Sequence, residues 1–403
     1  MSRLRHYVRV TLEAVFGTED YSRDPGGHLR ETCEGPVDRV AVPGLPPVYL
    51  VTGYQQAREV FNDSRLCKDR SRVPTAHDPG PEMIWVAGRQ LLSTDGNDHA
   101  RLRRLLTGWW SRAASARWPE IIERHTGDLL ADLASGPAET DLVTGFARPL
   151  PMRILADVVG IPQAEAGRLQ ELVHVFTSNG VPESPQVQSA HGDLVAIWFR
   201  LAKEHAGEDT LLGVLGKARQ DREISLTELT SLLDMLLVAG AHSMSMFFPR
   251  VVLRLADAPE LVATLTGDDE SAQEALVEEL IRLCPPFPLA THRYTTEDVD
   301  LWGTPVPAGS LVMPAVAAAN RDPQVHPAPD QACPGRPGAR TRHLSFGHGA
   351  HYCLGATLAR QQARIALVRL YQRFPHLTAT GEPVWRNLMV PEPACLPVRL
   401  RRG

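Results

Sequence analysis

The chain has 403 residues, 43% of them hydrophobic and 22% charged, the balance of a globular enzyme able to bury a large core. A formal net charge of -5 excludes whole-chain attraction to nucleic acid or to an anionic membrane surface. Six cysteines, at 33, 67, 284, 333, 353 and 395, form no CxxC pair and no regular framework, which argues for free thiols in a reducing compartment.

From the start, "MSRLRHYVRVTLEAVFGTEDY" interleaves charges with apolar residues and lacks the continuous apolar core of a signal segment. A cytoplasmic protein with no membrane span is expected. Proline and glycine concentrate at 24–47, 73–97 and 285–351, with no internal repeat and no low-complexity linker. One domain over 1–403 is expected, with α-rich parts at about 98–284 and 354–375. Its β-rich parts are expected at about 40–60, 289–316 and 376–403.

Ser225 and Glu228 form a capping box before a strongly apolar run. That run contains "LVAGAHSMSMFF", Leu237 to Phe248, and is broken by Asp234 and His242 too early for a membrane span. A helix without a polar stripe is buried on most sides. The notch at Gly240, His242 and Ser243 then reads either as a satisfied core histidine among small packing residues or as a functional break.

Ser271 and Glu274 suggest a second capping box, opening a helix with the apolar stripe Val277, Leu280, Ile281 and Cys284. It must stop at Pro285–Pro286, because a residue before proline avoids the helical region. Short strand-like pieces follow, with turns at Gly303 and Gly309, then an irregular stretch and a long amphipathic helix closed by Pro375. There is no βαβ alternation, so a Rossmann fold is a poor reading. The fold class is mainly α with a small β-rich portion.

The stretch "HLSFGHGAHYCLGATLAR", residues 343–360, sets Cys353 between a glycine-rich turn and a helix N-terminus. A thiol there is expected to have a lowered pKa from the helix dipole and free backbone N–H groups. Glycines at 347, 349 and 355 let the backbone approach a large flat group without Cβ interference. Three readings of the cysteine stand at this point. It is a buried structural thiol, or it joins His343, His348 and His351 around zinc, although His351 and Cys353 are too close for usual ligand spacing. Or it is the single protein ligand that a haem thiolate needs.

The pattern Phe346-x-x-Gly349-x-x-x-Cys353-x-Gly355 resembles the haem-binding signature of the cytochrome P450 family at every fixed position. Other pieces agree in the order that family requires. Glu279-Leu280-Ile281-Arg282 resembles its Glu-x-x-Arg motif, with the two charges one helical turn apart. "HARLRRLL", beginning at His99, and "AANRDP", residues 318–323, also resemble family segments.

The resemblance implies the P450 fold, with haem between the long central helix and the cysteine loop. It makes Cys353 the axial iron ligand, and Phe346, Gly347, Gly355, Ala239 and Gly240 further haem contacts. His99, Arg103, Arg293 and His351 become contacts of the haem propionates, and Glu279, Arg282 and Arg336 a buried ion network. Electrons from NAD(P)H come through a separate ferredoxin and ferredoxin reductase, with Arg101, Arg104, Arg360 and Arg364 as the expected dock. The cofactors implied are haem b and O2.

Where the family reads Ala-Gly-x-acid-Thr, this chain has Ala239, Gly240, Ala241, His242 and Ser243. On that alignment Gly240 keeps the groove for oxygen, and His242 and Ser243 stand at the proton-delivery positions. The substrate, a medium-sized aromatic or heterocyclic molecule, is expected against Met83, Ile84, Trp85, Val86, Val238, Ala241, His242, Phe287, Leu289, Ala290, Leu388, Met389 and Val390. The implied activity is that of a haem-thiolate oxidoreductase of bacterial secondary metabolism. Within it, oxidative C–C or C–N coupling of a cyclodipeptide and conventional hydroxylation or epoxidation are both open. A degenerate recruitment domain and a peroxide-driven enzyme are the alternatives.

Overall fold

The computed structural model describes residues 10–11, 15–41, 47–73, 88–110, 115–178, 184–338, 342–386 and 389–400. Helices dominate, and the longest runs from Leu226 to Ala256 through the middle of the molecule. The Ser225 hydroxyl accepts from the Glu228 N–H, and the Glu228 carboxylate accepts from the Ser225 N–H, so the anticipated box opens this helix. Its polar interruption at Asp234 is satisfied from a neighbour: Trp198 Nε1 donates to Asp234 Oδ1 at 2.7 Å. Burial still pushes the Asp234 carboxyl up to about 6. Among the described helices this is the one long and apolar enough to cross a bilayer, and 78% of its most apolar window is buried inside the protein.

The helix Glu270–Leu283 ends where Pro285–Pro286 demands. Its start departs from expectation. Asp269, not Ser271, is the cap, its carboxylate accepting from the N–H groups of Ser271 and Ala272. Aspartate is at least as good a cap as serine, and its position two residues earlier lets the helix gain length. The final long helix, Ala356–Arg373, begins directly after Gly355 and stops before Pro375.

The principal sheet has six strands in the order Val10–Thr11, Val37–Ala41, Val48–Val51, Leu311–Pro314, Arg293–Thr295, Leu66–Cys67. Leu311–Pro314 runs parallel to Val48–Val51, and Arg293–Thr295 antiparallel to it, so a late segment is inserted beside an early one. A hairpin of Val384–Arg386 with Glu392–Cys395 lies near the C-terminus. The stretch expected as β-rich from about 40 to 60 is strand only in its first half. Tyr54–Asn62 is a helix whose buried Tyr54, Ala57, Val60 and Phe61 repeat at helical rather than alternating spacing.

The buried side chains fall into helical clusters and β-side clusters. Val238 and Ala241 of the central helix pack in one helical cluster with Leu155, Leu172 and Trp198. Met244, Phe247, Phe248 and Val251 pack in another, with the final helix through Ala363, Ala366 and Leu370. The sheet buries Val48, Leu50, Tyr294, Leu311 and Met313 in a third.

Candidate active site

The cysteine loop is shaped by its glycines and by one backbone bond. Gly347 and Gly349 have φ of 69° and 73°, left-handed values that side chains rarely adopt. A Cβ on Gly349 would lie 2.3 Å from Asn62 Oδ1, so that side chain would have to turn aside. The Cys353 N–H donates to the Phe346 carbonyl at 2.9 Å and closes the loop. Cys353 is open on one side. Protein packed around it nonetheless pushes the thiol up, more than the Gly355 N–H, Arg360 and Arg103 pull it down. The lowered pKa expected from the helix N-terminus is therefore not found, because desolvation outweighs the dipole.

Phe346 is clamped from behind. The Arg360 guanidinium lies 4.4 Å over its ring, and the His343 ring stands 5.5 Å away. Both side chains are held by the buried Glu278, with His343 Nε2 at 2.9 Å from Oε2 and Arg360 Nε at 2.5 Å from Oε1. Two of the four residues in the zinc reading are thus committed elsewhere, His343 to Glu278 and His351 to Asp95. Among the described residues no three His, Cys, Asp or Glu side chains are grouped to hold a metal ion.

Beside the loop, the helix Gly96–Thr107 contributes to a cluster of basic side chains. The rings of His99 and His351 lie 4.3 Å apart, and His351 Nε2 is 3.3 Å from Asp95 Oδ1. Arg103 donates to the Tyr352 carbonyl at 2.9 Å, next to the cysteine. Arg293, on its strand, is buried with its guanidinium 4.7 Å over the Phe61 ring. Lys68 is buried too and donates to the carbonyls of Thr291 and His292 at 3.0 and 2.9 Å. Burial, then Arg293, pulls the Lys68 pKa far down, while burial brings Arg293 to about 10. His99 falls to about 4 through burial, then His351 and Arg103. For Asp95, burial opposes ionisation, but His351 and the N–H groups of Asp69 and Lys68 overcome it and hold the carboxyl at about 2.

The expected ion network is buried and complete. Arg282 meets Glu279 through two bonds of 2.9 Å, and Arg336 Nε meets the same carboxylate at 2.9 Å. Arg282 also donates to the carbonyls of Asn320, Pro329 and Gln331. Asn320, from the "AANRDP" segment, ties this helix to the cysteine loop by accepting from the Leu344 N–H at 2.6 Å and donating to Ser345 Oγ at 2.8 Å.

On the central helix, the notch is a π turn, Val238–His242, between two α segments. Such bulges occur often at functional sites. Ser243 Oγ donates to the Ala239 carbonyl at 2.5 Å, and Ser245 Oγ to the His242 carbonyl at 2.7 Å. Ala239 is exposed and Gly240 half-buried within this otherwise buried stretch of helix. A Cβ on Gly240 would lie 3.1 and 3.2 Å from the Leu155 methyl carbons, so its smallness serves close helix packing. His242 is buried with Nδ1 3.9 Å from Glu392 Oε1, and burial followed by Arg148 brings its pKa to about 4.

The expected substrate contacts are distributed among separate groups. Val238 and Ala241 belong to a helical cluster, whereas Leu289 and Met389 pack together on the sheet side with Val73. Ala290 packs against another sheet-side cluster, Val390 is buried, and Phe287 is partly buried. Met83, Ile84, Trp85, Val86 and Leu388 lie outside the described residues. The expected basic dock is largely neutralised: Arg101 pairs with Glu228, Arg360 with Glu278 and Arg364 with Glu270, leaving Arg104 exposed. Sequence reasoning missed Lys68, Asp95, Glu278 and Glu392. Of these only Asp95 carried a local signal, one helical turn before His99.

The residues fit a haem. His99 Nε2 and His351 Nδ1 are buried without a hydrogen-bond partner among the described residues. They stand among Lys68, Arg103 and Arg293, an excess of donors over the one carboxylate of Asp95 that suits a group bearing carboxylates. Gly355 has an ordinary φ of -84°, and a Cβ there would meet no protein atom within 4 Å, so the described fold does not itself require glycine.

The model of the family described as "Cytochrome P450" matches residues 272–396. Cytochrome P450 monooxygenase PikC of Streptomyces venezuelae is 34% identical over 396 residues, covering 96% of this chain and 93% of its own. Mycinamicin IV hydroxylase/epoxidase of Micromonospora griseorubida is 36% identical over 359 residues, 87% of each chain. Among solved structures, the P450 enzyme CxnD for C–S bond formation in chuangxinmycin biosynthesis has a TM-score of 0.85 at 26% identity, covering 99% of this chain and 98% of that one. The tirandamycin C-bound P450 monooxygenase TamI has 0.82 at 30% identity, covering 97% and 100%. With near-complete coverage in sequence and in fold, the chain belongs to the cytochrome P450 family and is an enzyme of the P450 oxidase type.

Proposed function

We propose that this enzyme inserts an oxygen atom from O2 into a medium-sized aromatic or heterocyclic natural product of bacterial secondary metabolism, by hydroxylation or epoxidation. The observation that carries the reading is the Cys353 loop set against the cluster of two arginines and two imidazoles, Arg103, Arg293, His99 and His351. Haem b is the group these residues would hold, with Cys353 as the iron ligand and the cluster at the propionates. Haem with a thiolate ligand supplies the activation of dioxygen.

The chain's own residues do the rest. Glu278, through Arg360 and His343, fixes Phe346 and with it the loop carrying the thiol. Arg103 pins the Tyr352 carbonyl, so the cysteine cannot swing without breaking a bond to the neighbouring helix. Ser243 keeps a hydroxyl at the bulge of the central helix, and His242 adds a titratable ring beside it. Apolar Val238, Ala241, Leu289 and Val390 favour an apolar substrate and exclude water. Electrons come from NAD(P)H through ferredoxin reductase and ferredoxin, with Arg104 the exposed remnant of the expected dock.

A second reading, oxidative coupling as in the C–C or C–N joining of a cyclodipeptide, is favoured by His242 at the position where the family has an acid. The C–S bond formation named for CxnD supports it. The test is turnover of candidate macrolide-like, aromatic and cyclodipeptide substrates under isotopically labelled dioxygen with ferredoxin and reductase. Label in the product supports oxygen insertion; an unlabelled product lacking two hydrogens supports coupling and overturns the main reading. A reduced, CO-treated sample without the thiolate absorption band would point instead to a recruitment domain.

A further inference from the structure

The π turn of the central helix faces a second acid–base group that comes from far along the chain. His242 Nδ1 is 3.9 Å from Glu392 Oε1, and the two side chains are only 6% and 5% exposed. Glu392 opens the second strand of the C-terminal hairpin, where its Cα partner is Arg386. Arg386 is exposed, and its Nη1 points at His174 Nε2 from 3.4 Å. His174 is partly buried on the helix Gln163–Ser178, and it and Glu392 each feel the other's charge. Arg148, just before the helix Pro149–Val159, acts on all three of His242, Glu392 and His174. Glu392 thus joins the buried His242 to the hairpin position opposite Arg386, whose guanidinium lies 3.4 Å from His174.

The electrostatics suit a path rather than a fixed ion pair. Burial disfavours charge on both inner groups, so His242 is neutral near pH 7 and Glu392 takes up a proton more readily than an ordinary glutamate. A neutral imidazole accepts a proton at one nitrogen and releases one from the other. One bridging water or a small rotation of either side chain would span the 3.9 Å separation.

We propose that Glu392 is a positioning carboxylate that orients and protonates His242, forming with it a proton path from the His174 side of the molecule to the face carrying Ser243. The Glu392 O–H bond breaks as the His242 Nδ1–H bond forms. The Nε2–H bond then breaks as its proton passes toward that face, and Glu392 is reprotonated from the His174 side. No electron moves in these steps. The path rests on the proposed oxygen-activating function, which consumes the protons it delivers.

The test compares the parent enzyme with Glu392→Gln and Glu392→Asp. In the diamagnetic ferrous, CO-bound protein, nitrogen NMR of the imidazoles reads the His242 tautomer directly. In turnover, peroxide released per NAD(P)H consumed reads protons that arrive wrongly or late. Expected for Glu392→Gln is a changed His242 tautomer and a several-fold rise in peroxide, with substrate KM unchanged; Glu392→Asp restores both. Unchanged His242 signals in Glu392→Gln, or an unchanged peroxide yield, would overturn the path. Failure of the oxygen-activating reading is distinguishable, because the CO-bound thiolate spectrum would then be absent in the parent as well.

Discussion

Glu279 and Arg282 meet through two parallel hydrogen bonds of 2.9 Å, and neither side chain has any exposed surface. Such a pair is costly to bury, and it persists here because every remaining donor is used. Arg282 reaches three carbonyls, and Glu279 also accepts from Arg336 and the Cys333 N–H. Removing one partner leaves an uncompensated buried charge worth about 3–5 kcal/mol. Glu279→Ala should therefore lower unfolding free energy by roughly that amount. Haem content should fall with it, because Asn320 couples this helix to the cysteine loop. Denaturant melts and the haem-to-protein absorbance ratio check both.

Cys353 plays no such part in holding the protein together. Its backbone N–H closes the loop whatever the side chain, and its thiol is open on one side. Cys353→Ala should shift unfolding stability by no more than about 1 kcal/mol, in line with substitutions away from the packed core. The same variant should lose the CO-bound thiolate band and all turnover. A collapse of circular dichroism in this variant would show that the residue is structural.

What could be read from the sequence, and what could not, follows the range of the interactions. The Cys353 loop, the Glu279–Arg282 pair and the Ser225 cap are local patterns, in which spacing alone states which groups meet. Arg336 was reachable because the family resemblance named it. Glu278 holding His343 and Arg360, Lys68 under the Arg293 strand, and Glu392 facing His242 join segments far apart in the chain, and only tertiary packing chooses among the available carboxylates. The error at Ser271 is of another kind, since two competent caps lay two residues apart and the earlier one won. At Gly240 a small residue serves a groove and a tight helix contact alike, and the contact with Leu155 comes from a distant segment that local pattern does not reveal.

His99 gives a pH dependence with a definite sign. Burial, His351 and Arg103 bring its pKa from the ordinary 6.5 to about 4, so the unfolded chain binds this proton more readily than the folded one. The stability it contributes is complete above pH 6.5 and is lost as pH falls through the window down to about 4. For a ring beside partly solvated neighbours the loss should be about 2 kcal/mol. Stability of the haem-free protein should fall over that window, and His99→Gln should flatten this part of the curve. A parallel curve for the variant would place the titration elsewhere.

Two glycines of the cysteine loop separate demands of the fold from demands of the cofactor. Gly349 has φ of 73°, and a Cβ on it would meet Asn62 Oδ1 at 2.3 Å. Gly349→Ala should therefore destabilise the protein by roughly 1–2 kcal/mol from backbone strain alone, with or without haem. Gly355 has an ordinary φ of -84°, and a Cβ there would touch no protein atom within 4 Å. Alanine at 355 should leave the haem-free protein within about 0.5 kcal/mol of the parent, as for a surface substitution. If the backbone at 355 is small because a flat cofactor approaches it, Gly355→Ala should instead weaken haem binding by about tenfold, near 1.4 kcal/mol. Haem titration into the two haem-free variants, beside thermal melts, reads both quantities. An alanine at 355 that melts early yet binds haem like the parent would mean that the loop, not the cofactor, requires this glycine.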